Sequence, residues 1–146
     1  MLVVTGGAGF IGSALVAALN ARGRDDILVV DDFGDGPKWK NLRGKRFLDV
    51  VAPETFAHDL TAGVHEGKIE GILHMGAISD TSFRDMDELY ARNVRYTRVL
   101  AHWATAQGAR FVYASSASVY GDGTLGFSDG DALTPKFLPM NPYAFS

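Results

Sequence analysis

Thr5-Gly6-Gly7-Ala8-Gly9-Phe10-Ile11-Gly12 is the stretch that decides the fold. Read from Gly7 it is G-x-G-x-x-G, and read from Gly6 it is G-x-x-G-x-x-G. Such spacing alone is common, and its setting gives it meaning. Before it, Met1–Thr5 is a short apolar run, as a buried parallel strand would be. After it, Phe10–Arg22 carries Ile11, Leu15, Ala18 and Leu19 on one helical face, and Gly23 closes the helix. A strand that passes through glycines into a helix lets backbone N–H groups approach a diphosphate, with the helix N-terminus adding a favourable dipole. Gly6 and Gly9 would make the tight turn, Phe10 and Ile11 would open the helix toward a cofactor, and Gly12 would let the helix lie close on the strand. The competing reading is a tight strand-to-helix turn that binds nothing. It loses ground because Ile27–Val30 is a second buried strand ending in Asp31, about twenty residues past the turn.

Asp31 could accept hydrogen bonds from an adenosine ribose, and alone it favours NAD, since a carboxylate repels a 2′-phosphate. Lys38 and Lys40 follow closely and either offset that repulsion or are solvated surface charges. Asp32 either caps the next turn or touches cofactor. Further on, Phe33–Gly44 reads as a loop, Arg46–Val51 as a third strand and Pro53–Leu60 as a short helix with Pro in its first turn. Gly71–Met75 reads as a fourth strand. Phe83–Ala106 reads as a long helix with Met86, Leu89, Asn93, Thr97, Leu100 and Ala104 on one face, stopped by Gly108. Arg110–Ser115 is a fifth strand. The Gly-, Asp- and Pro-rich chain beyond Gly121 reads as a long loop, and Asn141–Ser146 as a helix start. Strands alternating with helices give a Rossmann-type α/β fold, a doubly wound parallel sheet, as one NAD(P)-binding domain over residues 1–146.

Composition is consistent with that. The 146 residues are 47% apolar and 21% charged, which suits a folded domain rather than a disordered one. Net charge is −3 with no basic cluster, so no nucleic-acid partner is expected. The absence of cysteine excludes disulfides, thiolate metal sites and a Cys nucleophile, and fits a reducing compartment. No apolar run has the length of a membrane span, and the apolar start is too short for a signal-peptide core. A cytoplasmic protein with no membrane partner and no metal is the expectation.

Chemistry-bearing residues fall where such a sheet places ligands, at the carboxyl ends of strands. Met75-Gly76-Ala77 leaves the fourth strand with residues small enough for a cofactor to pass, and Ser79 follows toward the substrate side. His74 lies inside the strand without metal-ligand spacing, and reads as a satisfied core histidine. Asn93 sits on the apolar face of the long helix, must be paired, and would tie that helix to the loop after the fourth or fifth strand, beside cofactor. Ser116 follows the fifth strand and Tyr143 comes later. A phenol is a poor base at its free pKa of about 10, but a nearby cation and a nicotinamide ring would bring it into range. Singly, Ser116 reads equally as a strand-end hydroxyl and Tyr143 as a surface tyrosine. Together on this scaffold they favour hydride-transfer chemistry.

TGGAGFIG, the acidic end of the second strand, Ser115-Ser116-Ala117-Ser118-Val119-Tyr120-Gly121 and Tyr143 as the first residue of Y-x-x-x-K jointly resemble the extended short-chain dehydrogenase/reductase family over essentially the whole chain. Within it, Asp35-Gly36-Pro37-Lys38-Trp39-Lys40-Asn41-Leu42 resembles the subfamily of ADP-heptose 6-epimerases. The resemblance implies NADP as cofactor, with NAD possible, and Lys38 at the 2′-phosphate. It further implies Tyr143 as an acid/base, Ser116 holding the reacting oxygen, and inversion at C6 of an ADP-linked heptose used for lipopolysaccharide core. It also implies a second, downstream lysine base, a C-terminal substrate lobe and a homo-oligomer for the full-length protein. The lysine of Y-x-x-x-K would fall one position past Ser146, so an N-terminal fragment, inactive by itself, is the expectation. Met75 and Asp80-Thr81-Ser82 depart from the subfamily's usual residues. Rival readings are a UDP-hexose 4-epimerase, a 4,6-dehydratase, against which Ala117 and Ser118 argue, and a non-catalytic dinucleotide sensor, against which the Ser–Tyr pair argues.

Overall fold

The computed structural model describes residues 1–146. Strands β1 (Leu2–Thr5), β2 (Ile27–Val30), β3 (Asp49–Val51), β4 (Gly71–His74) and β5 (Arg110–Tyr113) form one sheet in the order β3-β2-β1-β4-β5. All its pairings are parallel, with Leu2 opposite Ile27 on one side and Gly71 on the other. This is the strand order of a doubly wound Rossmann sheet, the fold class expected from the sequence. Val3 and Val4 of β1 and Ile27, Val29 and Val30 of β2 are wholly buried, as parallel strands covered on both faces must be.

The helices are α1 (Phe10–Ala21), α2 (Pro53–Thr61), α3 (Met86–Leu89), α4 (Tyr96–Gln107) and α5 (Pro142–Phe145). One sheet face packs Val3, Leu28, Val30 and Ile72 against Phe56 and Leu60 of α2 and Leu100 and Ala104 of α4. The opposite face packs Val4, Ile27 and Val29 against Val16 of α1 and Leu42, with Leu15 and Leu19 partly buried beside them. Burying a side chain such as Phe56 contributes about 2–3 kcal/mol against the unfolded chain.

Several boundaries differ from the sequence reading, each for a local reason. The expected loop 33–44 contains a 3₁₀ helix, Pro37–Leu42, nucleated by Pro37 and anchored by buried Leu42. The third strand is shorter than Arg46–Val51, because only Asp49–Val51 pairs with β2 at the sheet edge. The fifth ends at Tyr113, before Ala114 and Ser115. The long helix starts at Met86 rather than Phe83, where the Asp85 side chain caps it by accepting the Glu88 N–H at 3.0 Å. It also contains a wider π-type turn, Tyr90–Arg95, between α3 and α4. The loop beyond Gly121 includes a 3₁₀ turn, Thr134–Lys136. In α1 the buried side is Gly12, Ser13 and Val16, while Ile11 faces outward. That face follows from Gly12, whose missing side chain lets the helix press on the turn before it.

The chain divides into two compact units. The first, residues 1–77 and 96–113, holds the whole sheet with α1, α2 and α4. The second, residues 78–95 and 114–146, holds α3, the π-type turn, α5 and the 3₁₀ turns after β5. No helix is long and apolar enough to cross a membrane.

Candidate functional site

In the first unit, the glycine turn is fixed by backbone bonds that need glycine. Gly6 has φ +62°, a left-handed conformation suited to glycine, and its N–H donates to Val30 O at 2.8 Å. Gly9 N–H donates back to Gly6 O at 2.9 Å. A Cβ on Gly12 would lie 2.1 Å from Gly6 O, and one on Gly7 would lie 2.8 Å from Val29 Cγ1. Helix α1 then begins without a side-chain cap and with no acidic residue in its first turn. Its leading N–H groups and its dipole are therefore offered to an anion. Phe10 is 89% exposed and Ile11 59% exposed at this helix start. An arrangement of this kind can receive an anion such as a diphosphate, since side chains are missing around the turn and backbone donors are left at the helix start.

Asp31 follows β2 with its carboxylate nearly buried, 8% exposed. Its Oδ2 accepts the Ala8 N–H of the glycine turn at 2.8 Å, and its Oδ1 accepts the Asp32 N–H at 2.8 Å. Lys38 Nζ donates to Asp31 Oδ1 and to Asp32 O at 2.9 Å. Three residues on, Asn41 Nδ2 donates to Ala8 O at 2.9 Å. A 3₁₀ helix repeats every three residues, so Lys38 and Asn41 share one face, from which Lys38 reaches the end of β2 and Asn41 the turn. Asp31 thus braces the turn from the end of β2. Lys38 is anchored at β2's end instead of being a free surface charge. Lys40 lies 5.9 Å from the Trp39 ring, away from these contacts.

At β4, His74 is a satisfied core histidine, 4% exposed. Its Nδ1 lies 2.6 Å from Thr5 Oγ1 and its Nε2 lies 2.8 Å from Thr97 Oγ1. Burial pushes its imidazole down to about 4, so it is neutral at ordinary pH. Beyond it, Met75 N–H donates to Thr5 O at 3.2 Å, and Gly76 passes so close to the turn that a Cβ on Gly6 would meet Gly76 Cα at 2.8 Å. Ala77 is exposed at the end of this segment. Tyr96 of α4 packs on His74 with ring centroids 5.7 Å apart, and burial pushes its phenol up.

In the second unit, Asn93 holds the segment after β4. Its Oδ1 accepts the Ile78 N–H at 2.8 Å and its Nδ2 donates to Ile78 O at 3.0 Å. The same Nδ2 donates to Ser146 Oγ at 2.9 Å, and Ser146 Oγ donates to Tyr143 O at 2.9 Å. The expected tie to the loop after the fourth strand is there, and it extends to the helix bearing Tyr143. Ser79 is exposed just past Ile78. Ser116 Oγ accepts the Ser118 N–H at 3.2 Å and caps the 3₁₀ turn Ala117–Tyr120, against which α5 packs. Accepting that bond leaves the Ser116 proton available for a ligand oxygen. Tyr143 is half-buried in α5, whose start is capped by Asn141 Oδ1 accepting the Ala144 N–H at 2.8 Å. Thr5, Asn41, Thr97 and Ser146 escaped the sequence reading as site residues. Only Asn41, three residues after Lys38, carried a local signal.

Comparison with known proteins follows the same lines. The ADP-L-glycero-D-manno-heptose-6-epimerase of Nitratidesulfovibrio vulgaris is 48% identical over 146 residues, all of this chain and 45% of its own length. That of Brachyspira hyodysenteriae is 46% identical over 147 residues, again 45% of its length. The chain therefore spans about half the length of the curated relatives it matches. Among solved structures, the Helicobacter pylori ADP-L-glycero-D-manno-heptose-6-epimerase superposes with a TM-score of 0.81 at 28% identity, covering 99% of this chain and 46% of that one. The Bordetella bronchiseptica enzyme WbmG, in complex with NAD and UDP, gives 0.76 at 27% identity, covering 99% and 45%. A family model matches residues 2–146, the span that carries both the glycine turn and the Ser116 and Tyr143 elements, and the chain belongs to the NAD dependent epimerase/dehydratase family.

Proposed function

We propose that this chain is the dinucleotide-binding part, both units included, of an NADP-using nucleotide-sugar epimerase that inverts C6 of an ADP-linked heptose. Gly6, Gly9, Phe10, Ile11 and Gly12 would hold the diphosphate, Asp31 and Asp32 the adenosine ribose, and Met75, Gly76 and Ala77 the passing cofactor. Lys38 carries the choice of NADP over NAD. It neutralises Asp31 through the ion pair and has a third ammonium proton left for a 2′-phosphate. A bound nicotinamide supplies a hydride acceptor and donor. The chain's own residues manage the proton and the orientation. Ser116 donates to the reacting oxygen while its own oxygen stays occupied by the Ser118 N–H. Tyr143 would take or give the hydroxyl proton on one face of the sugar, and the second base that the resemblance implies, a downstream lysine, would serve the other. Asn93 keeps the Tyr143 helix and the Ile78–Ser79 segment in register, with Ser79 toward the sugar.

The observation that carries this reading is the anchoring of Lys38 on Asp31, in a chain whose relatives at 46–48% identity bear the heptose-epimerase name. The test uses the full-length protein with ADP-D-glycero-manno-heptose and, separately, UDP-galactose, followed by NMR without added cofactor. Epimerisation of the heptose alone is expected. Turnover of the UDP sugar alone would move the assignment to a hexose 4-epimerase, and turnover of neither, with dinucleotide still bound, would favour a sensor.

A further inference from the structure

The hydroxyl of Thr5 is buried, and its bonds determine which nitrogen of the neighbouring imidazole carries the proton. Gly76 N–H donates to Thr5 Oγ1 at 3.0 Å. That hydroxyl is 2.6 Å from His74 Nδ1, and Thr5 is 1% exposed. Its own proton needs an acceptor, and His74 Nδ1 is the acceptor within reach. Nδ1 is therefore the bare nitrogen, and the imidazole proton sits on Nε2, from which it donates to Thr97 Oγ1 at 2.8 Å. Nothing else competes for the ring. Tyr96, packed against it, keeps its hydroxyl buried and unpaired. Phe111 stacks on it with centroids 6.0 Å apart and offers no polar group.

This tie meets the glycine turn where there is least room. A Cβ on Gly76 would lie 3.0 Å from Gly6 N and 3.1 Å from Thr5 Oγ1. A Cβ on Gly6 would lie 2.8 Å from both Gly76 N and Gly76 Cα. Gly6 O in turn receives the Gly9 N–H and lies under Gly12 at the head of α1. A small movement of Gly76 is therefore passed to the donors at the start of α1, because close-packed backbone transmits displacement.

We propose that His74 is a positioning residue for the dinucleotide cradle, its Nε2–H tautomer orienting the Thr5 hydroxyl so that Gly76 is clasped against the Gly6 turn. The inference rests on the cofactor reading above and assigns His74, Thr5 and Thr97 a role in affinity, although none of them is expected to touch the ligand. Thr97, on α4, thereby influences a site built by β1, β4 and α1.

The test combines nitrogen NMR of His74 with dinucleotide titrations of the chain, using NADPH fluorescence, for the wild type and for Thr5→Val, Thr5→Ser, Thr97→Val and Thr97→Ser. The spectrum should show a proton on Nε2 and none on Nδ1. Loss of both Thr5 hydroxyl bonds should raise the Kd about ten-fold in Thr5→Val, and loss of the single His74–Thr97 bond about three-fold in Thr97→Val, at temperatures well below melting. The serine variants should restore near wild-type affinity, and the Gly76 amide resonance should move in both valine variants. A merely structural role would lower the melting temperature, leave the Kd unchanged in both valine variants, and leave the Gly76 resonance in place in Thr97→Val. That result, or a proton found on Nδ1, overturns the proposal. A wild-type chain that binds neither NADP nor NAD would sink the cofactor reading instead, and the His74 and Gly76 spectra would still decide whether the clasp exists.

Discussion

Replacing Gly12 with alanine sets a methyl group 2.1 Å from Gly6 O and 2.7 Å from both Gly6 C and Gly7 Cα. Ordinary contact begins at 3.4 Å, so the nearest approach falls short by about 1.3 Å. All three atoms are backbone and none can swing aside. The turn they belong to is tied down by Gly6 N–H on Val30 O and Ala8 N–H on Asp31 Oδ2, each at 2.8 Å. The start of α1 must lift away from the turn. Overpacking of this kind costs about 3 kcal/mol, and alanine in place of glycine in a helix returns about 1 kcal/mol, leaving a net loss of about 2 kcal/mol. Urea denaturation reads it as a midpoint lowered by about 1 M at a typical slope. Gly9→Ala is the internal control. Its Cβ would meet only Gly6 O, at 3.1 Å, so the loss should stay under about 1 kcal/mol. Dinucleotide affinity should fall with Gly12→Ala beyond what instability explains, because the displaced N–H groups are those aimed at the diphosphate. A Gly12→Ala chain as stable as wild type, or more stable through helix propensity alone, would refute the reasoning.

His74 gives a pH prediction. Its folded pKa of about 4 lies below the ordinary 6.5, so its contribution to stability is complete above pH 6.5 and is lost as pH falls toward 4, where the unfolded chain takes the proton first. The loss is about 3 kcal/mol, and it should vanish from the pH dependence of urea stability in His74→Phe; an unchanged profile in that variant contradicts it. Asn93→Leu removes both bonds to Ile78 and the one to Ser146, and should cost about 2–3 kcal/mol with faster exchange of the Ile78 amide. Equal exchange in wild type and variant would show the tie to be unimportant. Lys38→Ala should weaken NADP binding about ten-fold relative to NAD, and an unchanged ratio removes its role at a 2′-phosphate. Tyr143→Phe in the full-length protein should lower epimerisation about 10²–10⁴-fold while dinucleotide stays bound; retained turnover would exclude Tyr143 as the acid/base.

Much of the fold was legible because buried parallel strands write themselves as short apolar runs, and Thr5–Gly12 marks where the first one turns. The parallel, doubly wound form of the sheet followed from strand and helix alternation. Features carried by few residues did not show. The Pro37–Leu42 helix offers a single buried side chain, Leu42, as its signal. The π-type turn at Tyr90–Arg95 leaves Leu89, Asn93 and Thr97 at helix-like spacing, so periodicity passes over it. Apolar spacing puts Ile11 on one face with Leu15, Ala18 and Leu19, but the close approach of Gly12 to Gly6 sets the buried face of the helix and turns Ile11 outward. In the candidate site, residue types and strand-end positions were readable, whereas pairings were not. Asp31 with Ala8, Asn41 with Ala8, Thr5 with His74, and His74 with Thr97 join residues far apart in sequence, and nothing in the local pattern announces them.

Titration of the isotopically labelled chain with NADP, followed through its backbone amide resonances, bears most directly on the central claim that the turn at residues 6–12 holds a diphosphate. The account predicts saturable shifts at Phe10, Ile11 and Gly12, smaller ones at Ala8 and Gly76, and the loss of all of them with Gly12→Ala. Saturable binding that leaves Phe10, Ile11 and Gly12 unmoved, or no binding of either dinucleotide, would contradict it.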